Sequence, residues 1–234
     1  MSALEEHGRR GGRWVGVSAD DRRSCRRGLL LDAAFDLLGT EGWSGTTVRA
    51  VCHAANLNPR YFYESFEDLD SLVVAAYDRT LDELRIALVA ALDAAPLDMP
   101  SQMGAAVDAM VRFVDDDRRR GRVLYVEALG SEALNRRRIA AGHDLTSFIV
   151  TDAAARRGAA PTGEQIGTIT ASVYVGAFSE VLVAWLDGHI DVGREQLVHD
   201  LTALFLGVHD AATKVAIERN TVRSATGRPV RTRR

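Results

Sequence analysis

With 234 residues the chain can bury a substantial core, and 47% hydrophobic against 26% charged residues is the balance of an ordinary soluble globular protein. Two cysteines, Cys25 and Cys52, are too few for a disulfide scaffold or a cysteine-rich zinc site, and fit a reducing cytoplasm. The net charge of -3 excludes bulk attraction to nucleic acid: seven basic residues from Lys214 onward face Glu218 alone, a balance of +6 that leaves -9 on residues 1–213, so DNA binding would need a local face.

Residues 1–17 are rich in Gly and Arg without periodicity, lack the apolar run of a signal peptide, and read as a flexible arm. Ser18 and Asp21 have capping-box spacing, and Leu29, Leu30, Ala33, Ala34, Leu37 and Leu38 then recur at helical intervals. This predicts a first helix over about 19–41, closed by Gly42 in the left-handed conformation. Thr46 or Thr47 caps a second helix through Val48, Val51, Cys52 and Ala55. Asn56 tolerates left-handed backbone, and Asn58-Pro59 restarts the helix with a cap and a proline in its first turn. Two short helices around a tight turn result.

The third helix, within "NLNPRYFYESF", has Leu57 and Phe62 at the spacing of a hydrophobic staple, with Phe66 one turn further on. Arg60 and Glu64 point away from that side, flanked by Tyr61 and Tyr63. Packing gives no reason for aromatics there; contact with DNA does.

The remainder reads as helix. Leu72, Ala76, Thr80 and Leu84 mark a fourth over about 69–94, ended by Pro96; Met103, Val107, Met110 and Val114 mark a fifth, in which the methionines read as gap-filling core. The run "DDDRRRGR" at 115–122 reads as a solvated charged corner. A short sixth helix covers 123–129, a seventh opens at Ser131-Glu132 and persists to about Arg157, and an eighth starts at Pro161-Thr162 and ends at Gly188. Asp191 caps a ninth, striped by Leu197, Leu201, Leu204 and Val208. No strand pattern competes, so the fold class is all-α with about nine helices.

Residues 166–185 reach the roughly 20 apolar positions of a membrane span, but Glu180, Thr168, Thr170, Ser172 and Ser179 interrupt them, so a buried central helix and no membrane are expected. Ile166, Ile169, Val173 and Ala177 occupy one side, and Tyr174, Phe178, Leu182 and Trp185 the other. A helix apolar all round is covered on both sides, which in so small a domain points to a second subunit. The ninth helix, with Phe205 and Leu206 beyond its stripe and Gly207 for close approach, is the natural companion. Two such hairpins, 164–188 with 193–213 from each chain, make a twofold four-helix interface. The competing reading is a monomeric bundle.

Residues 29–72, "LLLDAAFDLLGTEGWSGTTVRAVCHAANLNPRYFYESFEDLDSL", resemble the DNA-binding domain of the TetR family of transcriptional regulators. The resemblance rests on Leu30, Leu31, Ala33 and Ala34, on Gly42, Thr46-Thr47, Val51-Cys52 and the Tyr63-x-x-Phe66 ending; more loosely, "WLDGHIDVGREQLV" is similar to the family's dimerisation region. It implies an arm (1–17), a helix-turn-helix domain (18–68), a ligand-binding and dimerisation domain (69–215) and a basic disordered tail (216–234). It further implies that the third helix enters the major groove, with Thr46, Thr47, Arg49, Asn58, Pro59, Arg60, Tyr61, Tyr63 and Glu64 at the DNA. Two positions depart from the family pattern: Asn56 replaces a glycine and Leu69 a lysine that commonly contacts phosphate.

Arg60 can pair bidentately with guanine, worth ~1–3 kcal/mol of discrimination, and Tyr63 can offer its hydroxyl to a phosphate. Helix N-termini add backbone donors. Arg22, Arg23, Arg26 and Arg27 either supply charge to the DNA or only balance Asp20, Asp21 and Asp32. The implied protein is a cytoplasmic homodimer on a near-palindromic double-stranded operator, a repressor by the family's commoner habit. A small-molecule effector would be enclosed by the later helices, with Phe113, Tyr125, His143, Ser147, Tyr174 and Phe178 as candidate lining.

No cofactor or metal is expected. Two alternatives remain: a helical adaptor that binds protein through the third helix, and a helical enzyme using Glu127 with His143. The chain has no glycine-rich phosphate loop, no H-E-x-x-H and no G-x-S-x-G, and its single lysine, Lys214, excludes a P-loop.

Overall fold

A computed structural model describes residues 18–157 and 164–225. Among them are ten α-helices and no strand: α1 (Ala19–Thr40), α2 (Gly42–Gly45), α3 (Val48–Ala54), α4 (Pro59–Tyr63), α5 (Leu69–Ala94), α6 (Met99–Asp115), α7 (Arg118–Gly121), α8 (Glu132–Arg157), α9 (Glu164–Leu186) and α10 (Arg194–Ala225). A π-helical turn, Arg122–Val126, and a 3₁₀ turn, Glu127–Leu129, link α7 to α8. The arm 1–17, the start assigned to Pro161-Thr162 and residues 226–234 of the tail lie outside the described residues. The fold is all-α, and the helices beyond the nine expected are the one-turn α2 and α7.

Local chemistry sets the first boundaries. The Ser18 and Asp21 side chains each accept from the other's backbone N–H, a closed capping box at the start of α1. Thr47 accepts from the Ala50 N–H to cap α3, and Asn58 accepts from the Arg60 N–H to cap α4. Between those two helices Asn56 has φ 52°, with the Asn56 N–H donating to the His53 carbonyl and the Leu57 N–H to the Cys52 carbonyl. This pairing is the Schellman arrangement, so asparagine does here the work for which glycine is usual.

Two cores form. In the first, Leu30, Ala34, Val51, Cys52, Phe62 and Phe66 pack against Leu72 and Ala76 of α5. In the second, Val73, Tyr77 and Leu84 of the same helix join Val107 and Val111 of α6, Tyr174, Phe178 and Leu182 of α9, and Leu197, Leu201 and Phe205 of α10. Leu69 packs against both cores. That position is therefore occupied by an apolar bridge, which accounts physically for the missing lysine.

Three expectations are corrected. On α10 Phe205 turns inward, its ring 5.1 Å from that of Tyr174, while Leu204, 100° round the helix, is left 65% exposed. The inner stripe is thus Leu197, Leu201 and Phe205. Asp191 does not cap α10, which begins three residues later; the preceding turn is pinned instead by the Trp185 indole N–H donating to the Val192 carbonyl at 2.9 Å. The tail is not disordered from residue 216, because α10 continues to Ala225 with Ala216 buried.

The run at 115–122 is also no solvated corner. Arg119 pairs with Asp117 and with Asp36 of α1, both at 2.7 Å, and lies over the Phe35 ring. Arg118 stacks on Trp185 and Arg120 on Phe113. Arg122 donates to the Gly39 and Thr40 carbonyls at the end of α1, and to Glu127 at 2.5 Å. The other Glu127 oxygen accepts the Trp43 N–H at 2.8 Å. Asp117 is held below the usual carboxylate range, chiefly by the Arg119 hydrogen bond. The charged run is a joint between the two cores.

Gly42 sits inside that joint with φ +74°, and a Cβ there would meet the Glu127 carboxylate oxygens at 3.0 and 3.1 Å. Gly42→Ala is expected to lower unfolding free energy by about 1–3 kcal/mol through left-handed strain, with displacement of Glu127 adding to it. Urea unfolding checks this; an unchanged midpoint would show that the joint tolerates a side chain.

Candidate nucleic-acid interface and internal cavity

Anchoring α4 from below frees its upper face. Phe62 is fully buried, Phe66 nearly so, and Leu57 packs against the same core. Burying one such ring contributes roughly 1.5–3 kcal/mol, enough to fix the orientation of a helix only five residues long. Arg60 is then 82% exposed and Tyr63 63% exposed, and Tyr61 is also at the surface. The Tyr63 ring stands edge-on to Phe62, 5.2 Å between centroids, so it is rooted on the core while its hydroxyl end projects.

The arginines of α1 divide their work. Arg26 stacks on the Tyr61 ring at 4.5 Å and lies 3.5 Å from Glu64; Arg27 covers the Phe66 ring at 4.1 Å and donates to the Ser65 carbonyl at 2.8 Å. Both grip α4 instead of standing free. Glu64 also pairs with Arg60 at 3.0 Å. An exposed pair of this kind contributes about 0–1 kcal/mol, so it presets the Arg60 rotamer without preventing the guanidinium from swinging to a base.

The other residues assigned to the interface fall into two groups. Arg49, Thr47, Asn58 and Pro59 are exposed, with Thr47 and Asn58 also serving as caps. Thr46 is 2% exposed and donates its hydroxyl to the Gly42 carbonyl, so its assignment to the DNA face is corrected: it braces α2 from inside. Sequence reasoning missed the bracing role of Arg26 and Arg27, whose partners on and after α4 lie more than 30 residues away.

A second site lies among α5, α6, α8, α9 and α10, where a cavity of about 780 Å³ opens beside the π-helical turn. Tyr125, Tyr174 and Phe178 line it. Phe113, His143 and Ser147 do not. Phe113 is buried in the last turn of α6 under Arg120, and His143 and Ser147 are exposed, one position round α8 from the lining residues Gly142, Leu145 and Phe148. The wall instead uses Leu84, Leu88 and Leu92 of α5 with Met103 and Met110 of α6. The four-residue leucine spacing past the end of the α1 contact was the available signal.

Tyr77 and Tyr125 stand at the end of the cavity nearest the joint. Burial pushes the Tyr77 phenol up to about 12, against the opposing pull of Arg137 and Arg138, and raises Tyr125 too. Both are neutral hydroxyls near pH 7. Glu127 and His143 do not meet, since Glu127 is committed to Arg122 and Trp43. The acid/base pair considered for an enzyme does not exist. No cluster of metal-ligating side chains occurs among the described residues.

Residues 30–76 match the model for bacterial regulatory proteins of the tetR family. Over this segment, about a fifth of its length, the chain is similar to that family. A curated relative from Haemophilus influenzae, named as an HTH-type transcriptional regulator, is 31% identical over 140 residues, covering 58% of this chain. The chain spans 64% of the length of that relative. Two solved structures share the fold: a tetR-family transcriptional regulator from Streptomyces coelicolor (TM-score 0.66, 17% identity, 88% of this chain and 90% of that one) and a TetR-like transcriptional regulator from a Rhodococcus species (TM-score 0.58, 22% identity, 77% and 93%). The matched TetR segment ends inside α5, on the helix the two cores share.

If Arg27 braces α4, Arg27→Ala should speed amide hydrogen exchange through residues 59–66 at least severalfold. Protection in α9 and α10 should stay unchanged. Equal exchange in both proteins would show that the Phe62 anchor suffices alone.

Proposed function

We propose that the protein is a ligand-responsive transcriptional repressor that binds a near-palindromic operator as a homodimer. The observation that carries the reading is the outward face of α4, where Arg60, Tyr61 and Tyr63 stand exposed on a helix locked from beneath by Phe62 and Phe66. Arg60 would read a base edge in the major groove, and Tyr63 would hold a phosphate. Arg49, Thr47, Asn58 and Pro59 would flank the same groove.

Dimerisation through α9 and α10 is supported by what the single chain leaves uncovered. Ile169 is 52% exposed, Val173 is also at the surface, and on α10 Leu204 is exposed, with open space at Gly176 and Gly207. The inner face of α9, Tyr174, Phe178, Leu182 and Trp185, is meanwhile packed in the core, but 22% of its long apolar span is buried in the single chain, so the buried central helix expected from the sequence is corrected to a helix with an open outer face. A twofold partner would cover the outer face and set two α4 helices about 34–36 Å apart, or a whole turn further.

The effector would occupy the cavity. Leu124 and Tyr125 form part of its wall, and Arg122 and Glu127, within three residues, clamp α1 and α2. A ligand that favours one placement of the π-helical turn would thereby shift the DNA-binding domains.

Titration of labelled duplex from upstream of the coding sequence, at increasing salt, tests the DNA reading. Arg60→Ala should lose roughly tenfold or more for the preferred site and little for random sequence, matching ~1–3 kcal/mol of base discrimination; Tyr63→Phe should weaken both alike. Equal affinity of the wild type for specific and random duplexes would sink the proposal.

Sedimentation tests the interface separately. Leu204→Glu should shift the protein from dimer to monomer while α-helical content is retained. A wild-type protein that sediments as a monomer at all concentrations would refute twofold docking.

A further inference from the structure

The cavity wall is mostly apolar, and its charged members are Arg138, Asp152, Arg156 and Glu180. Arg138 of α8 lines it beside Tyr77 and Tyr125. Its neighbour Arg137 takes the local carboxylates, Asp78 at 2.6 Å and Asp144 at 3.5 Å. Arg138 is left with the Asn135 side-chain oxygen, 3.4 Å from Nη2, and its buried Nε has no acceptor. A guanidinium is always charged near neutral pH, and a shielded one lacking both counter-ion and full hydrogen bonding is strongly unfavourable unless something else completes it.

The far end of the chamber makes no such demand. There Arg156 is held by Asp152 at 2.7 Å and Asp93 at 2.8 Å, and the Gln102 amide donates to the carbonyls of Leu92, Ala95 and Pro96. Among the described lining side chains, Arg138 therefore carries the buried donor left without an acceptor, and no ion pair reaches it from Glu180. Between the ends run Leu84, Leu88, Met103 and Phe178.

We infer that the cavity takes a carboxylate-bearing amphiphile, its carboxylate on the Arg138 fork and its hydrocarbon body along the leucine and methionine wall. The inference rests on the effector reading of this cavity. A carboxylate matches the paired N–H donors of one guanidinium and leaves lone pairs for the neutral phenols of Tyr77 and Tyr125. An uncharged amphiphile can give Nε an acceptor but leaves the charge without a counter-ion, and a cationic one sets like charge against Arg138. A cavity of about 780 Å³ lies within the range that encloses a drug-sized molecule.

Calorimetric titration of the full chain with dodecanoate, dodecanol and dodecyltrimethylammonium tests this. Dodecanoate should bind at least tenfold tighter than dodecanol, and the cation most weakly. Arg138→Met should abolish the carboxylate preference, and should raise the melting temperature of the unliganded protein, since it removes a half-buried charge whose Nε lacks an acceptor. Arg138→Lys, which keeps the charge and loses the fork, should retain a reduced preference. Equal binding of acid and alcohol, tighter binding of the cation, or a preference that survives in Arg138→Met would overturn the inference. DNA mobility shift with and without dodecanoate is read separately: carboxylate selectivity without any change in DNA affinity supports the ligand assignment and counts against the effector role alone.

Discussion

The Glu127 carboxylate is the point through which the two halves of the molecule are held in one geometry. It accepts the Trp43 N–H with one oxygen and the Arg122 guanidinium with the other, and Arg122 closes the loop by donating to the last carbonyls of α1. The Glu127 side chain keeps 11% of its exposure and Arg122 38%. Such a pair lies between the surface case, worth about 0–1 kcal/mol, and the buried case, where losing one partner costs ~3–5 kcal/mol because the other charge is stranded. Its strength is thus mostly in the penalty for separation. That property suits a joint, which resists loosening more than it adds to net stability.

The same economy of charge governs α4. Five residues of helix have little stability of their own, since nucleation costs more than so few hydrogen bonds return. Rings below and guanidinium groups behind supply the rest: Phe62 in the core, Arg26 on Tyr61, Arg27 on Phe66 and on the helix C-terminus. Because Arg26 and Arg27 are used in this way, Arg60 is the guanidinium that α4 itself presents outward. The charge needed for DNA is therefore directional, in keeping with a chain whose overall charge is negative.

Much of this was legible in the sequence where cause and effect are close along the chain. The caps at Ser18 and Asn58, the left-handed Asn56 and Gly42, and the inward Phe62 with outward Arg60 and Tyr63 all follow from spacings of a few residues. What stayed hidden depends on partners far away in sequence. Arg119 and Arg122 read as solvent-facing charges because their partners on α1 lie some 83 residues earlier. Leu204 and Phe205 were assigned to the wrong faces because the ideal wheel places Leu204 on the stripe, and only the Tyr174 ring on α9 decides otherwise. His143 and Ser147 share a face, as their spacing requires, but which face meets the cavity is fixed by how α8 packs on α5 and α9. Thr46 fell inside because the one-turn α2, too short for periodicity to reveal, needed its hydroxyl.

In the proposed dimer, α9 has two occupants to serve at once, a ligand against Tyr174 and Phe178 and a partner protomer against Ile169 and Val173. A helix clamped by a large apolar interface cannot shift far without breaking it, so α9 is the fixed wall of the cavity. The wall able to respond is the opposite one, formed by α5 and the π-helical turn. Single π-helical turns are rare and recur at functional sites. Here the turn begins with Arg122 and ends next to Glu127, so its rearrangement would be felt at Gly39 and Thr40 as well as at Gly42 and Trp43. A ligand moves such an equilibrium only by its difference in affinity for the two placements. An unpaired Arg138 near that turn is a ready source of the difference, because satisfying it is worth most in whichever placement brings Tyr125 and Arg138 to the same head group.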